Sequence, residues 1–159
     1  MEASGVAEVV YAYASGIDDR EWDRYRTCFT DRCWFDFSSF SGRPAAEMAA
    51  DEWVARVRSL NGSFDATQHQ MTNLVTTPGP DAGVIVRVEL RAQHWFSPDS
   101  MAAFGRPDEV NWCELGGHYD GVLAHDGERW RIARWRLTVR WRLGDMAVFA
   151  LATARGSAP

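Results

Sequence analysis

The sequence predicts an α+β domain in which N-terminal helices pack against a curved antiparallel sheet. Helix-spaced apolar residues are confined to the part before residue 60, and four long strand candidates follow it. The dipeptide Asp126-Gly127 sits between two alternating stretches, which is a hairpin signal. At 159 residues the chain fits a single domain, 1–159, with an ordered core expected from about 4 to 152.

The first helix is expected over residues 4–17, where Val6, Val9, Val10, Tyr13, Ala14 and Ile17 recur at spacings of three and four. Ser4 is its expected N-cap, and Gly16 weakens its far end. Asp18 and Asp19 then mark a helix–helix corner, and Trp22, Tyr25 and Phe29 make one stripe of a shorter helix over 20–29. An acidic residue at such a corner is commonly a cap, so spacing alone does not make Asp18 functional. Residues 33–40 read as an aromatic strand broken by Gly42-Arg43-Pro44. Pro44 opens a third expected helix, which runs to about Ser59 and is ended by Asn61-Gly62.

Strands are expected over 67–77, 84–97, 110–124 and 129–141. The separators are Pro78-Gly79-Pro80-Asp81, a loop over 98–107, and the Asp126-Gly127 turn. Parity then says which side chains share a face. In the second strand Val84, Val86, Val88, Leu90, Ala92, His94 and Phe96 lie together, so His94 ends an otherwise apolar face and needs a partner there. In the last strand both faces are mixed. The face of Arg131, Ala133, Trp135, Leu137, Val139 and Trp141 carries fewer arginines and is the expected cavity wall. After about Thr153 the tail is expected to fray.

Composition narrows the functional classes. The net charge of −5 argues against a polyanionic partner, so no nucleic acid is expected. The arginines between 129 and 142 alternate with apolar residues, as on a strand with one wet face. Three cysteines without CxxC spacing support neither a disulfide framework nor a zinc knuckle. The start has no basic or apolar leader pattern and no run is long enough to span a membrane, so the expected location is the cytoplasm. Eight Trp, eight Phe and four Tyr can fill a core or line a pocket for a flat apolar ligand.

The chain contains no P-loop, GxSxG, HExxH or dinucleotide fingerprint. What remains is His69, His94, His118 and Asp18, scattered along the sequence, with tyrosines at 13 and 119. Scattered acid–base groups fit proton-transfer chemistry, which needs geometry more than a local motif. A three-histidine metal site is the rival use of the same residues, although no spacing is that of a metal loop; neither metal nor cofactor is expected.

Three segments then resemble the scytalone dehydratase-like and SnoaL-like branch of the nuclear transport factor 2-like superfamily. They are Ile17-Asp18-Asp19-Arg20-Glu21-Trp22-Asp23-Arg24, Phe35-Asp36-Phe37-Ser38-Ser39-Phe40 and Thr67-Gln68-His69. The ending Asp126-Gly127-Glu128-Arg129-Trp130-Arg131-Ile132-Ala133, followed by Val139-Arg140-Trp141, is similar to the family's last hairpin strand. The resemblance implies a cone-shaped α+β barrel whose mixed or antiparallel sheet encloses an apolar pocket. It implies His69 as the acid–base residue and an Asp18–His94 dyad beside it. Tyr13, Phe37, Phe40, His118, Trp135, Leu137 and Val139 would contact the substrate. The family's two carbonyl-polarising tyrosines align with Ile17 and Phe37, which cannot donate a hydrogen bond, so a different substrate is implied. The implied activity is that of a lyase or isomerase: a cofactor-independent dehydratase, isomerase or cyclase working through an enolate. Its substrate would be a hydrophobic cyclic carbonyl compound, such as a polyketide- or steroid-like intermediate. A non-catalytic binding or assembly module of the same shape is the alternative. A homo-oligomer, dimer or trimer, is implied in either case.

Overall fold

The computed structural model describes residues 3–157, the side chains of Ala3 and Ser4 excepted. Helix α1 (Ala3–Asp18) already contains Ser4, so the expected cap lies inside the helix, and its side chain lies outside the described residues. Val6, Val10, Tyr13, Ala14 and Ile17 form the buried stripe that the spacing predicts. Arg20 ends this helix in the left-handed region, at φ 61, and turns the chain into α2 (Trp22–Thr27). The two helices approach closely at Gly16, where a Cβ would stand 3.0 Å from Cβ of Tyr25. That contact, and not a weak helix end, is the reason for glycine here.

The next segment departs from expectation. Strand β1 (Phe29–Asp36) starts earlier than predicted, and a short turn of helix, α3 (Ser38–Ser41), carries Phe40. Residues after Pro44 do not open a helix. They form strand β2 (Ala46–Ala49), paired antiparallel with β1, and only then does α4 (Ala50–Asn61) begin. Pro44 and the helix-forming residues after it are local signals, and the ladder to β1 is a non-local contact that overrides them.

Four long strands complete the sheet: β3 (Ala66–Pro78), β4 (Val84–Trp95), β5 (Trp112–His125) and β6 (Trp130–Gly144). The order is β2-β1-β6-β5-β4-β3, antiparallel except for the parallel β1–β6 pair. The sheet is therefore mixed, and it curves over α1 and α4 as a cone. Helix α5 (Pro98–Ala103) lies in the expected loop. After β6 comes α6 (Val148–Gly156), which packs on α4 and takes in Ala154–Gly156, the start of the tail expected to fray. Its Val148 and Ala152 are buried in a second apolar cluster with Phe64, Phe96, Met101 and Cys113. Among the described residues no helix is long and apolar enough to cross a membrane.

The parity reading of β4 holds along its length, since Val84, Val86, Val88, Leu90, Ala92, His94 and Phe96 are all buried. That of β6 holds only in the middle. Ala133 and Arg140 are extra residues opposite β5, and each bulge flips the faces beyond it. Ile132 thus replaces Ala133 and Arg131 as the inward neighbour of Trp135, and Trp141 turns to the outer face over Gly116. The Trp135 ring lies over Gly121, where a Cβ would fall inside the indole. Gly121→Ala is expected to destabilise the fold by about 1–3 kcal/mol through overpacking. A lower urea midpoint at unchanged slope would register it, and an unchanged midpoint would mean that the ring can move.

Candidate active site

Between the concave side of the sheet and helices α1, α4 and α6 lies a cavity of about 990 Å³. Its wall is mainly apolar, with Ile17, Phe37, Phe40, Leu90, Leu115, Leu137 and Phe149, and its volume is that of a small-molecule site. His69, His94, Tyr13, Tyr119 and Asn61 are polar side chains on the same wall.

His69 reaches this wall because Thr67, His69 and Met71 share the inward face of β3. Since β3 is an edge strand, not every backbone N–H on it has a ladder partner. The amide of His69 donates instead to Asp18 Oδ2 at 2.6 Å. Asp18 Oδ1 lies 2.7 Å from His69 Nδ1 and accepts the Thr67 hydroxyl at 2.9 Å. An ionised carboxylate only accepts, so the proton of the ring sits on Nδ1, and Nε2 is the nitrogen left with a lone pair. The imidazole side chain is 6% exposed and that of Asp18 18%. A second cleft of about 630 Å³, lined by Tyr11, Ser15, Asp19, Gln68, Gln93 and Trp95, ends on the same pair from outside.

This geometry corrects the expected dyad, because Asp18 pairs with His69 and not with His94. The corner carboxylate is occupied by three donors of β3, two from His69 and one from Thr67. His94 faces Asn61 at the end of α4, with Nε2 and Oδ1 3.2 Å apart, and its Nδ1 has no partner. Its ring stands edge-on to that of His69, at 5.4 Å and 84°. Burial, then the charges of His69 and Arg20, hold His94 well below the usual histidine range. It therefore stays neutral and cannot protonate a leaving group.

That shift has a consequence for stability. Unfolded, His94 would take up a proton at its ordinary value; folded, it does not, so the unfolded state binds more protons as pH falls through about 6.5. Stability is expected to decline below that pH by up to about 1.4 kcal/mol per unit from this one group. Urea midpoints at pH 7.5, 6.5 and 5.5 read the slope, and His94→Gln is expected to flatten it. An equal slope in that variant would assign the loss to other groups.

Other expected contacts also move. His118 points to the outer face of the sheet, where Arg87 lies 2.5 Å and Asp120 3.2 Å from Nε2, because β5 parity that turns Tyr119 inward turns His118 outward. The three histidines therefore do not converge, and among the described residues no three His, Cys, Asp or Glu form a metal-holding group. Trp135 is fully buried behind the wall, stacked on Tyr119 at 4.8 Å, and Val139 packs on the core beside it; neither lines the cavity. Tyr13, Phe37, Phe40 and Leu137 do line it.

Sequence reasoning passed over Arg20, Asn61 and the role of Thr67. Arg20 donates to Thr67 Oγ1 at 2.9 Å and to the Ile17 and Phe64 carbonyls, which holds both its left-handed backbone and the hydroxyl that feeds Asp18. Asn61 was legible only as a helix stop. Thr67 could have been found, since it shares the parity of His69.

A family model for the SnoaL-like domain matches residues 3–136. The chain belongs to the SnoaL-like domain family. Scytalone dehydratase arp1 of Aspergillus fumigatus is 26% identical over 142 residues, which span 84% of this chain and 79% of that protein. Among solved structures, the Kfla4162 protein from Kribbella flavida superposes with a TM-score of 0.81 at 26% identity, over 93% of this chain and 95% of that one. A type 2 hexachlorocyclohexane dehydrochlorinase (LinA) gives 0.70 at 11% identity, over 89% and 87%, a likeness of fold. This SnoaL-like domain has Ile17 and Phe37 on the cavity wall, where they bring no hydroxyl. Its phenols come from Tyr13 on α1 and Tyr119 on β5.

Proposed function

We propose that this SnoaL-like domain is a cofactor-independent acid–base enzyme, a dehydratase or isomerase acting through an enolate on a hydrophobic cyclic carbonyl compound. One observation carries the reading: an imidazole fixed by Asp18 through Nδ1 and through its own backbone amide, with Nε2 left free, on the wall of an apolar cavity. The relatives support it at the level of reaction type, since one is named a dehydratase and another a dehydrochlorinase.

In the reaction so read, His69 Nε2 takes the proton α to the carbonyl. The C–H electron pair becomes the enolate double bond, and Asp18 stabilises the imidazolium. The imidazolium then returns the proton. Given to a β-hydroxyl, it lets the C–O bond break and water leave; given to another carbon, it shifts the double bond. His94, held neutral by burial, adds no second positive charge beside the imidazolium. The largely apolar wall accepts a flat ring system. Self-association belongs to the same reading, with Trp95, Trp112, Trp141 and Leu143 exposed as apolar surface for a second copy.

The test is solvent-deuterium exchange at the α carbon across a panel of cyclic ketones and β-hydroxy ketones, in wild type and His69→Gln. Exchange or elimination that requires His69 supports the enzyme. Tight binding of the same compounds with no His69-dependent exchange would instead make the domain a binding module.

A further inference from the structure

Asn61 has no task in the proposed proton transfer, yet it is built into the cavity wall. It is the last residue of α4, buried one turn after Val57, and both side chains line the cavity. Its Oδ1 lies 3.2 Å from His94 Nε2. The His94 ring is 3% exposed and clamped by Phe64 at 5.0 Å, Phe149 at 4.7 Å and the His69 ring at 5.4 Å. A fixed ring therefore holds the amide.

The direction of that hydrogen bond follows from the ring. Kept neutral by burial, His94 carries a single ring hydrogen. Its Nδ1 is sealed and has no partner, so a hydrogen there would be a buried donor without an acceptor. An orphaned N–H is the rarer and costlier arrangement, and a bare lone pair is better tolerated. The hydrogen accordingly sits on Nε2 and points at Asn61 Oδ1, which turns the amide NH₂ the other way.

That NH₂ is uncommitted. Among the described residues nothing accepts a hydrogen bond from Asn61 Nδ2, and the atom is not sealed as His94 Nδ1 is, so it opens on the cavity. The nearby hydroxyls are already spent, Ser59 on the Gly156 carbonyl and Thr153 on that of Phe149. Val57, Leu60 and Phe149 make the surrounding wall apolar. Two N–H hydrogens in such a corner lack an acceptor, and an oxygen of the ligand can supply it. Because His94 touches both His69 and Asn61, a fused bicyclic ring can bridge the base and the amide.

We propose that Asn61 is a specificity residue whose NH₂ donates to a second oxygen of the substrate, held at the α4 end of the cavity while the α-hydrogen faces His69 on β3. His94 is its positioning residue, since Nε2–H fixes which end of the amide meets the ligand. The substrate class is then a cyclic ketone with a remote acceptor oxygen, an ether or a second carbonyl included. The ketone in that class rests on the proposed enolate reaction; the second oxygen rests on Asn61 alone.

The probes are 1-tetralones that carry either methoxy or ethyl on the same aromatic carbon, one carbon at a time, titrated calorimetrically into the full chain. The two substituents are nearly alike in shape, so the ratio of their Kd values reads the oxygen. At one carbon the wild type is expected to bind the methoxy compound about tenfold more tightly, as one neutral hydrogen bond allows. Asn61→Leu, close in size and without a donor, should bring the ratio to about one while the ethyl compound binds within a few-fold. Should loss of the His94 acceptor prevent that variant from folding, Asn61→Asp at mildly alkaline pH keeps an acceptor and still offers no hydrogen, and it should erase or reverse the preference. No methoxy preference at any carbon in the wild type, a preference that survives the substitution, or failure of the whole set to bind overturns the proposal. Nitrogen-15 NMR that finds the His94 proton on Nδ1 overturns it too. His69→Gln separates the two readings, since it should keep the methoxy preference and lose α-hydrogen exchange. An Asn61-dependent preference with no His69-dependent exchange would retain the oxygen reader and sink the enolate reading; His69-dependent exchange with no Asn61-dependent preference would sink the oxygen reader alone.

Discussion

His69→Gln is expected to slow α-proton exchange, and any elimination that follows it, by about 10²–10⁴-fold while ketone binding changes only a few-fold. Glutamine is close to the size of the imidazole, and its amide N–H can still meet Asp18, so the wall keeps its shape. What it lacks is a nitrogen lone pair that can take a proton near neutral pH. None of the buried polar groups on the wall can substitute. His94 is held neutral by burial, Tyr13 and Tyr119 keep their protons, and Asn61 has no titration. The loss should therefore fall on kcat, since the apolar contacts that bind the ring are untouched. Exchange within about tenfold of wild type would mean that another base reaches the α carbon, and the proton-transfer assignment would be wrong. Equal loss of binding would mean that His69 serves the shape of the pocket.

How far these residues could be read from sequence differs with the kind of contact that positions each. The inward face of β4 was legible because alternation is a local property, and nothing interrupts it from Val84 to Phe96. The face of β6 was legible only between Ala133 and Arg140. The bulges there are set by how β6 meets β5, and an isolated strand carries no mark of them. Strand β2 was hidden for the same reason, since Ala46–Ala49 makes sense only beside β1. Helix α6 had a legible pattern, with Val148 and Ala152 one turn apart, but the short stretch after the last strand was given no element.

The site shows the same division. His69 and Asp18 could be chosen from the resemblance, and both stand at the cavity end. Their partnership could not, because it depends on the unpaired amide of an edge strand and on a carboxylate that three donors of β3 saturate. A matching order of residues fixes which groups enter a pocket more firmly than which of them touch. Tyr119 shows the complement. Parity on β5 places it opposite to His118 and inward, but its hydroxyl partner, Tyr13, lies 106 residues earlier and could not be read from the strand.

Asp18→Asn is expected to lower kcat by about 10³–10⁴-fold at nearly constant KM, as the loss of an imidazole-orienting carboxylate does in hydrolase triads. The reason lies in the number of acceptors. Asp18 receives the His69 amide on Oδ2, and the His69 ring N–H and Thr67 hydroxyl on Oδ1. An asparagine has one carbonyl oxygen and an NH₂ that donates. If its oxygen keeps the His69 amide, the NH₂ faces Nδ1, which must then give up its proton to accept. The ring switches tautomer, the proton moves to Nε2, and the nitrogen facing the cavity is no longer a base. If the oxygen instead keeps Nδ1, the NH₂ confronts the backbone N–H of β3 and leaves a buried donor unpaired, at a cost of about 1–3 kcal/mol. In both orientations the imidazolium formed in the reaction has lost its counter-charge. Nitrogen-15 NMR of the His69 ring distinguishes the two orientations, since only the first moves the proton to Nε2. Arg20→Met provides the graded comparison. It removes the donor to Thr67 but leaves the carboxylate in place, so its effect on kcat should be well below that of Asp18→Asn. An Asp18→Asn enzyme within tenfold of wild type, with the ring proton still on Nδ1, would mean that the backbone of β3 alone orients the base and that the carboxylate is only a cap for the strand edge.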